Sequence, residues 1–144
     1  MKLLTEPLGS QHRLAWLVGA VALVSCALLG LAARAHASET IYWDNYNGNS
    51  VGTANINGSG AHLLDLGATA ISQPEGLAFD PANDRIYIAN SSGGKIDWVG
   101  IHGGAGVLNT GSAPVSNPAG IAVDPATQTV YWGNGTGSAP IGYA

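Results

Sequence analysis

A motif that returns at fixed spacing constrains this chain more than any other feature. Ile41-Tyr42-Trp43 reappears as Ile86-Tyr87-Ile88 and as Val130-Tyr131-Trp132, so the three tyrosines lie 45 and 44 residues apart. Pro74-Glu75-Gly76-Leu77-Ala78-Phe79-Asp80-Pro81 returns as Pro118-Ala119-Gly120-Ile121-Ala122-Val123-Asp124-Pro125, again 44 residues on. Between these anchors Ile56-Asn57-Gly58 matches Ile101-His102-Gly103. Two anchors keeping one spacing imply a supersecondary unit repeated along the chain, each copy hiding its apolar flank against the next.

Each unit reads as four short β-stretches. Gly76 to Phe79 is the first, stopped by Asp80-Pro81, because proline cannot donate to a ladder. Arg85 to Ala89 is the second, rich in residues that suit a pleated surface. Ser91-Ser92-Gly93-Gly94 turns the chain into a third stretch, Lys95 to Ile101, with Ile96 and Trp98 on one side and Lys95, Asp97, Val99 and Ile101 on the other. A short fourth stretch centres on Val107 and Leu108. In the preceding unit Asn57-Gly58 supplies the positive φ of a tight hairpin between the third and fourth stretches. No stretch holds a helical period, so the fold class is all-β. Four antiparallel strands in roughly 40 to 50 residues make a β-propeller blade.

The residues quoted resemble the YWTD repeats of six-bladed, low-density-lipoprotein-receptor class B-like propellers, from Ile41 to the end of the chain. Tyr42-Trp43, Tyr131-Trp132, the Ile56 to Gly60 hairpin and the two proline-led segments carry the resemblance. Where the family has Thr-Asp after Tyr-Trp, this chain has Asp44-Asn45, Ala89-Asn90 and Gly133-Asn134, a bacterial-type variant with asparagine in all three copies. Asparagine keeps an acceptor oxygen and gains a donor, so it can tie a strand end to backbone. The resemblance implies strands two to four of one blade, a complete second blade and the first two strands of a third. That is an incomplete ring of about two and a half blades, ending in an exposed apolar face and an unpaired edge. It also implies that the repeated positions are scaffold: Tyr42, Trp43, Asn45, Pro74, Gly76, Asp80, Tyr87, Asn90, Pro118, Gly120, Asp124, Tyr131, Trp132 and Asn134. An active site is asymmetric, whereas scaffold recurs. A longer parent propeller is the expectation for a chain that stops within a blade.

Residues 1–37 read as an export segment rather than fold. Lys2 and Arg13 precede an apolar run from Leu14 to Ala33, and Ala35-His36-Ala37 has the small-x-small form that signal peptidase accepts. Cleavage there leaves 38–144 as the propeller domain, secreted or held at the cell surface. Two alternatives stay open. The run at 14–33 is long enough to remain as a membrane anchor. Leu23-Val24-Ser25-Cys26 has the form of a lipid-attachment box, although the apolar run continues past Cys26. Cys26 is the one cysteine of the chain, so no disulfide staples 38–144.

After Ala37, eight carboxylates face only Arg85 and Lys95. Nucleic acid is therefore excluded as a partner, since phosphate recognition needs clustered cations. His62 and His102 fall near third-to-fourth strand turns of different units with no ligand-type spacing. Asp44 to Ser50 is the most calcium-like stretch, yet it lacks the later carboxylates of an EF-hand loop and reads equally as a polar hairpin. Glycine-rich 103–106 opens no helix and so gives no phosphate cradle. Asn57, Asn90 and Asn134 each start a glycosylation sequon. The recurring aromatics suit packing between blades better than a carbohydrate platform. No catalytic residue, cofactor or metal is expected. The chain reads as a non-enzymatic binding scaffold for a protein or glycan, with self-association through the open blade edge as a further route. A propeller hydrolase or lyase with its site elsewhere, and a surface spacer without ligand, are the alternatives.

Overall fold

The computed structural model describes residues 39–144; the export segment and its anchor and lipid alternatives lie outside them. Three antiparallel sheets follow one another along the chain, one per repeat. The first holds β1 (Thr40–Asn45), β2 (Ser50–Asn55) and β3 (His62–Leu63). The second holds β4 (Pro74–Asp80), β5 (Arg85–Asn90), β6 (Lys95–Gly100) and β7 (Ala105–Val107) in that spatial order. The third holds β8 (Pro118–Asp124), β9 (Thr129–Asn134) and β10 (Ile141–Tyr143). The all-β expectation and the strand allotment of the first two repeats hold. The third repeat contains one strand more than the sequence reading allowed: β10 pairs Tyr143 with Tyr131 and Gly142 with Trp132. Three residues after Gly-Ser-Ala-Pro are too few to show an alternation, so β10 left no periodic trace.

Local chemistry sets the strand ends. Asp80 closes β4 by accepting the Ala82 N–H at 3.0 Å on Oδ1 and the Asn83 amide at 2.7 Å on Oδ2. Its repeat partner Asp124 accepts the Ala126 N–H and the Thr127 hydroxyl, both at 2.9 Å. The residue entering each second strand, Asp84 and then Gln128, is left-handed, with φ of 51° and 58°. A left-handed residue also precedes each proline-led strand, at Gln73 and Asn117. The asparagine-glycine hairpin forms as expected, with Gly58 at φ 81° and the Ser59 N–H bonded to Asn57 Oδ1 at 2.9 Å.

Strand alternation explains the core. On β5, Ile86 and Ile88 point to the first sheet, where with Val99 they pack on Val51, Ile71 and Tyr42. Tyr87 points the other way and joins Ile96 and Trp98 against Val130 and Trp132 of the third sheet. The second sheet is thus buried on both sides, and residues 86–91 are all buried. Of each Tyr–Trp pair, the tyrosine faces the following sheet and its neighbours the preceding one. The inner strands β4 and β8 approach so closely that a β-carbon at Gly76 would sit 2.3 Å from the Ala119 carbonyl oxygen. Only glycine permits that approach.

Candidate functional site

The asparagine after each second strand does what its donor–acceptor pair allows. Asn90 is fully buried and makes four kinds of bond. Its oxygen accepts the Ser72 N–H at 2.9 Å and the Gly93 N–H at 3.0 Å. Its amide donates to the Ala70 carbonyl at 3.2 Å and to Asp97 Oδ2 at 2.6 Å. Asn134 repeats the pattern on Ser116 N–H, Pro114 carbonyl and Ala139 carbonyl. Each therefore ties a strand end to the connection that enters its own sheet. Among the described residues Asn45 bonds only Ser50 Oγ, at 2.9 Å. Pro74 and Pro118 are both buried at the start of the inner strands, next to register shifts in the two ladders.

Tryptophan and glycine pair across strands, a feature the sequence reading did not use. Trp43 lies opposite Gly52, and a β-carbon there would come within 2.2 Å of the indole. Trp132 lies opposite Gly142 in the same way, at 2.3 Å, with its indole N–H donated to the Pro114 carbonyl at 3.1 Å. In the second sheet the same positions hold Ile88 and Asp97. A smaller side chain opposite a larger one keeps the volume. Asp97 is 0% exposed; Lys95 Nζ stands 3.4 Å from its Oδ1, which has no hydrogen-bond partner in the described residues.

The expected ionisable candidates are scattered. His102 Nε2 stands 3.7 Å from Asp84 Oδ2 on an exposed turn, and His62 Nδ1 is 2.8 Å from the Gly60 carbonyl. Burial, followed by the negative charge of Asp84, raises the Tyr42 phenol above its ordinary value. Tyr42 also stacks on Phe79 with ring centres 5.7 Å apart. Within the calcium-like stretch, Asn49 Oδ1 accepts the Gln73 N–H at 2.8 Å, so that turn holds the next inner strand. Among the described residues no three His, Cys, Asp or Glu side chains gather. Glu75 is exposed at the bulged start of β4, where β8 has Ala119.

Two hollows adjoin the third sheet. A hollow of about 350 Å³ follows β10, lined by Thr110, Ser112, Ala113, Pro114, Ile141, Gly142 and Tyr143. A second, of about 310 Å³, lies on the outward face over Ala122, Tyr131, Gly133 and Ile141. Neither contains an acidic or basic side chain. Tyr131 and Tyr143 stand with ring centres 6.2 Å apart and both are exposed. Gly120, the counterpart of Gly76, has nothing within 4 Å of a β-carbon position. The Ile-Gly-Tyr of β10 corresponds to Val51-Gly52-Thr53, and that match was the signal available in the sequence.

No protein-family model and no curated protein matches the chain. Solved structures do. The structure of the nidogen–laminin complex aligns at TM-score 0.63 and 24% identity, over 75% of this chain and 40% of that one. Virginiamycin B lyase from Staphylococcus aureus, in its inactive H270A form with quinupristin, aligns at 0.53 and 18%, over 67% and 31%. Hydrazine synthase from Kuenenia stuttgartiensis aligns at 0.55 and 20%, over 67% and 26%. The fold is a β-propeller. The three sheets are its blades, and the chain spans less than half the length of each of these three. The inward packing of blade 2 against both neighbours is the radial stacking this fold requires.

Proposed function

We propose that this propeller is an exported scaffold of the YWTD kind that binds a protein ligand as an extended segment along the open edge of β10. The groove beside that strand carries the reading. Its wall offers the hydroxyls of Thr110 and Ser112 and the apolar bodies of Ile141 and Tyr143, with no formal charge. Within the described residues β10 is hydrogen-bonded on one side only, to β9. An edge strand beside a mixed apolar and hydroxyl trough suits strand addition, in which main chain gives affinity and side-chain pockets give specificity. The likeness to a propeller solved in a nidogen–laminin complex is consistent with a binding role. Export would follow from residues 1–37, with the membrane touched only through 14–33 where that segment is retained.

Peptide and glycan arrays probed with the full chain test the reading. The expected outcome is capture of extended peptides, lost about tenfold or more in Ser112→Trp, which fills the groove. Capture that Ser112→Trp leaves unchanged, or capture of glycans alone, sinks it. A lyase reading draws on the likeness to virginiamycin B lyase and on Glu75 exposed at the inner strand. That reading requires the chain to consume quinupristin and Glu75→Gln to stop it.

A further inference from the structure

Inside blade 2 one carboxylate joins a lysine amine to an asparagine amide. Asn90 and Lys95 are opposed across β5 and β6, which puts their side chains on one face with β-carbons about 5 Å apart. Asp97, two residues along β6, shares that face. Its Oδ2 accepts the Asn90 amide at 2.6 Å. Its Oδ1, which has no hydrogen-bond partner, stands 3.4 Å from Lys95 Nζ. The Asn90 carbonyl is held from its other side. The Ser72 N–H at 2.9 Å and the Gly93 N–H at 3.0 Å both donate to its oxygen. Two such donors draw charge from Cγ and suit an oxyanion developing there. Asn90 and Asp97 are both 0% exposed, so bulk water does not compete for Cγ. The other blades lack this set. Opposite Asn45 stands Ser50, with Gly52 in the place of Asp97, and in blade 3 Pro140 and Gly142 take those places. The asparagine recurs as scaffold, whereas the amine and carboxylate beside it occur once.

We infer that Lys95 and Asn90 condense into an isopeptide bond, with Asp97 carrying the proton. Lys95 is the one lysine of 38–144, and its side chain is 32% exposed. Rotation about its outer bonds moves Nζ from the Asp97 carboxylate onto Asn90 Cγ. Asp97 takes a proton from Nζ, and the amine attacks Cγ. A C–N bond forms, and the carbonyl electron pair moves onto the oxygen held by Ser72 and Gly93. Asp97 then gives its proton to Nδ2, and the Cγ–Nδ2 bond breaks. Ammonia leaves and takes up the second Nζ proton as ammonium, so atoms and charge balance without oxidant or reductant. A region without cysteine thereby gains a covalent tie between the two middle strands of blade 2.

Tryptic mass spectrometry of the full chain, unfolded after purification, tests the inference. An amide at Lys95 removes the charge trypsin needs, so residues 86–144 should emerge as one peptide, about 17 Da lighter than its sequence. Fragment ions should link Lys95 to Asn90. Lys95→Arg keeps a cation beside Asp97 and should restore both the sequence mass and cleavage at position 95. Asp97→Asn, shown folded by near-UV circular dichroism, should also restore the sequence mass. Wild type at sequence mass, cleaved after Lys95, overturns the inference. So does a 17 Da loss that survives Lys95→Arg, about the mark of succinimide closure at an Asn-Gly pair such as Asn134-Gly135. A loss of about 18 Da with fragments linking Lys95 to Asp97 overturns it too, because water rather than ammonia has then left. Folded Asp97→Asn that still forms the link overturns the role of Asp97 and the inference with it.

Discussion

Asn90 shows how much a single side chain can hold when all of its hydrogen-bonding capacity is used. It joins the second strand, the turn after it, the incoming connection and the Asp97 carboxylate. Asn90→Ala leaves those groups buried without partners, so a loss of about 3 kcal/mol is expected from urea unfolding. Asn45→Ala removes one bond to Ser50 and should cost about 1 kcal/mol or less by the same measurement. The triple recurrence of asparagine was legible in the sequence, and so was its role as a tie. Its unequal importance was not, because the bond that sets Asn90 apart comes from Asp97, whose place is taken by Gly52 and Gly142 in the other two copies. Asp124 carries a pH signature. The Thr127 hydroxyl first, and the Ala126 N–H second, hold its carboxyl below the ordinary 3.8. A lowered native pKa means the unfolded chain binds more protons, so this stabilisation is full above the ordinary value and fades as pH falls through the native one. Thr127→Ala should flatten the acid limb of the stability–pH curve measured by thermal melts.

Cross-strand pairs explain why strands with different sequences make similar blades. Tryptophan over glycine in blades 1 and 3 becomes isoleucine beside aspartate in blade 2. Ile88→Trp alone drives an indole into Asp97, and Asp97→Gly alone leaves a void and strips Asn90 of a partner. The double variant rebuilds the pair seen in the other blades. Its loss of unfolding free energy should therefore be smaller than the sum of the two single losses by more than about 1 kcal/mol, as read from a double-mutant cycle. Strand positions were largely readable from proline, glycine and β-branched residues. β10 was not, since three residues reveal no period. The hollow beside it was consequently invisible, because it exists only where β10 meets the 110–114 connection.

Repeats that touch only their neighbours give a stability that varies along the stack. Among the described residues, blade 2 is covered on both sides, whereas blades 1 and 3 each have a neighbouring blade on one side. Amide hydrogen exchange should find the slowest protons on β5, with β1 and β10 opening through smaller fluctuations. The radial stacking itself was legible, since the period could mean little else. Burial of Asp97 was not, because alternation along Lys95 to Ile101 does not reveal that both sides of the sheet are enclosed. One consequence reaches into the cell that makes the protein. Asn57 lies on an exposed hairpin and can accept a glycan after folding, but the sequon at Asn90 is sealed inside. A glycosylating host could reach Asn90 only on the nascent chain, and a sugar attached there would keep blade 2 from closing. In such a host, the speed of folding relative to the transferase decides how much of the product is sound.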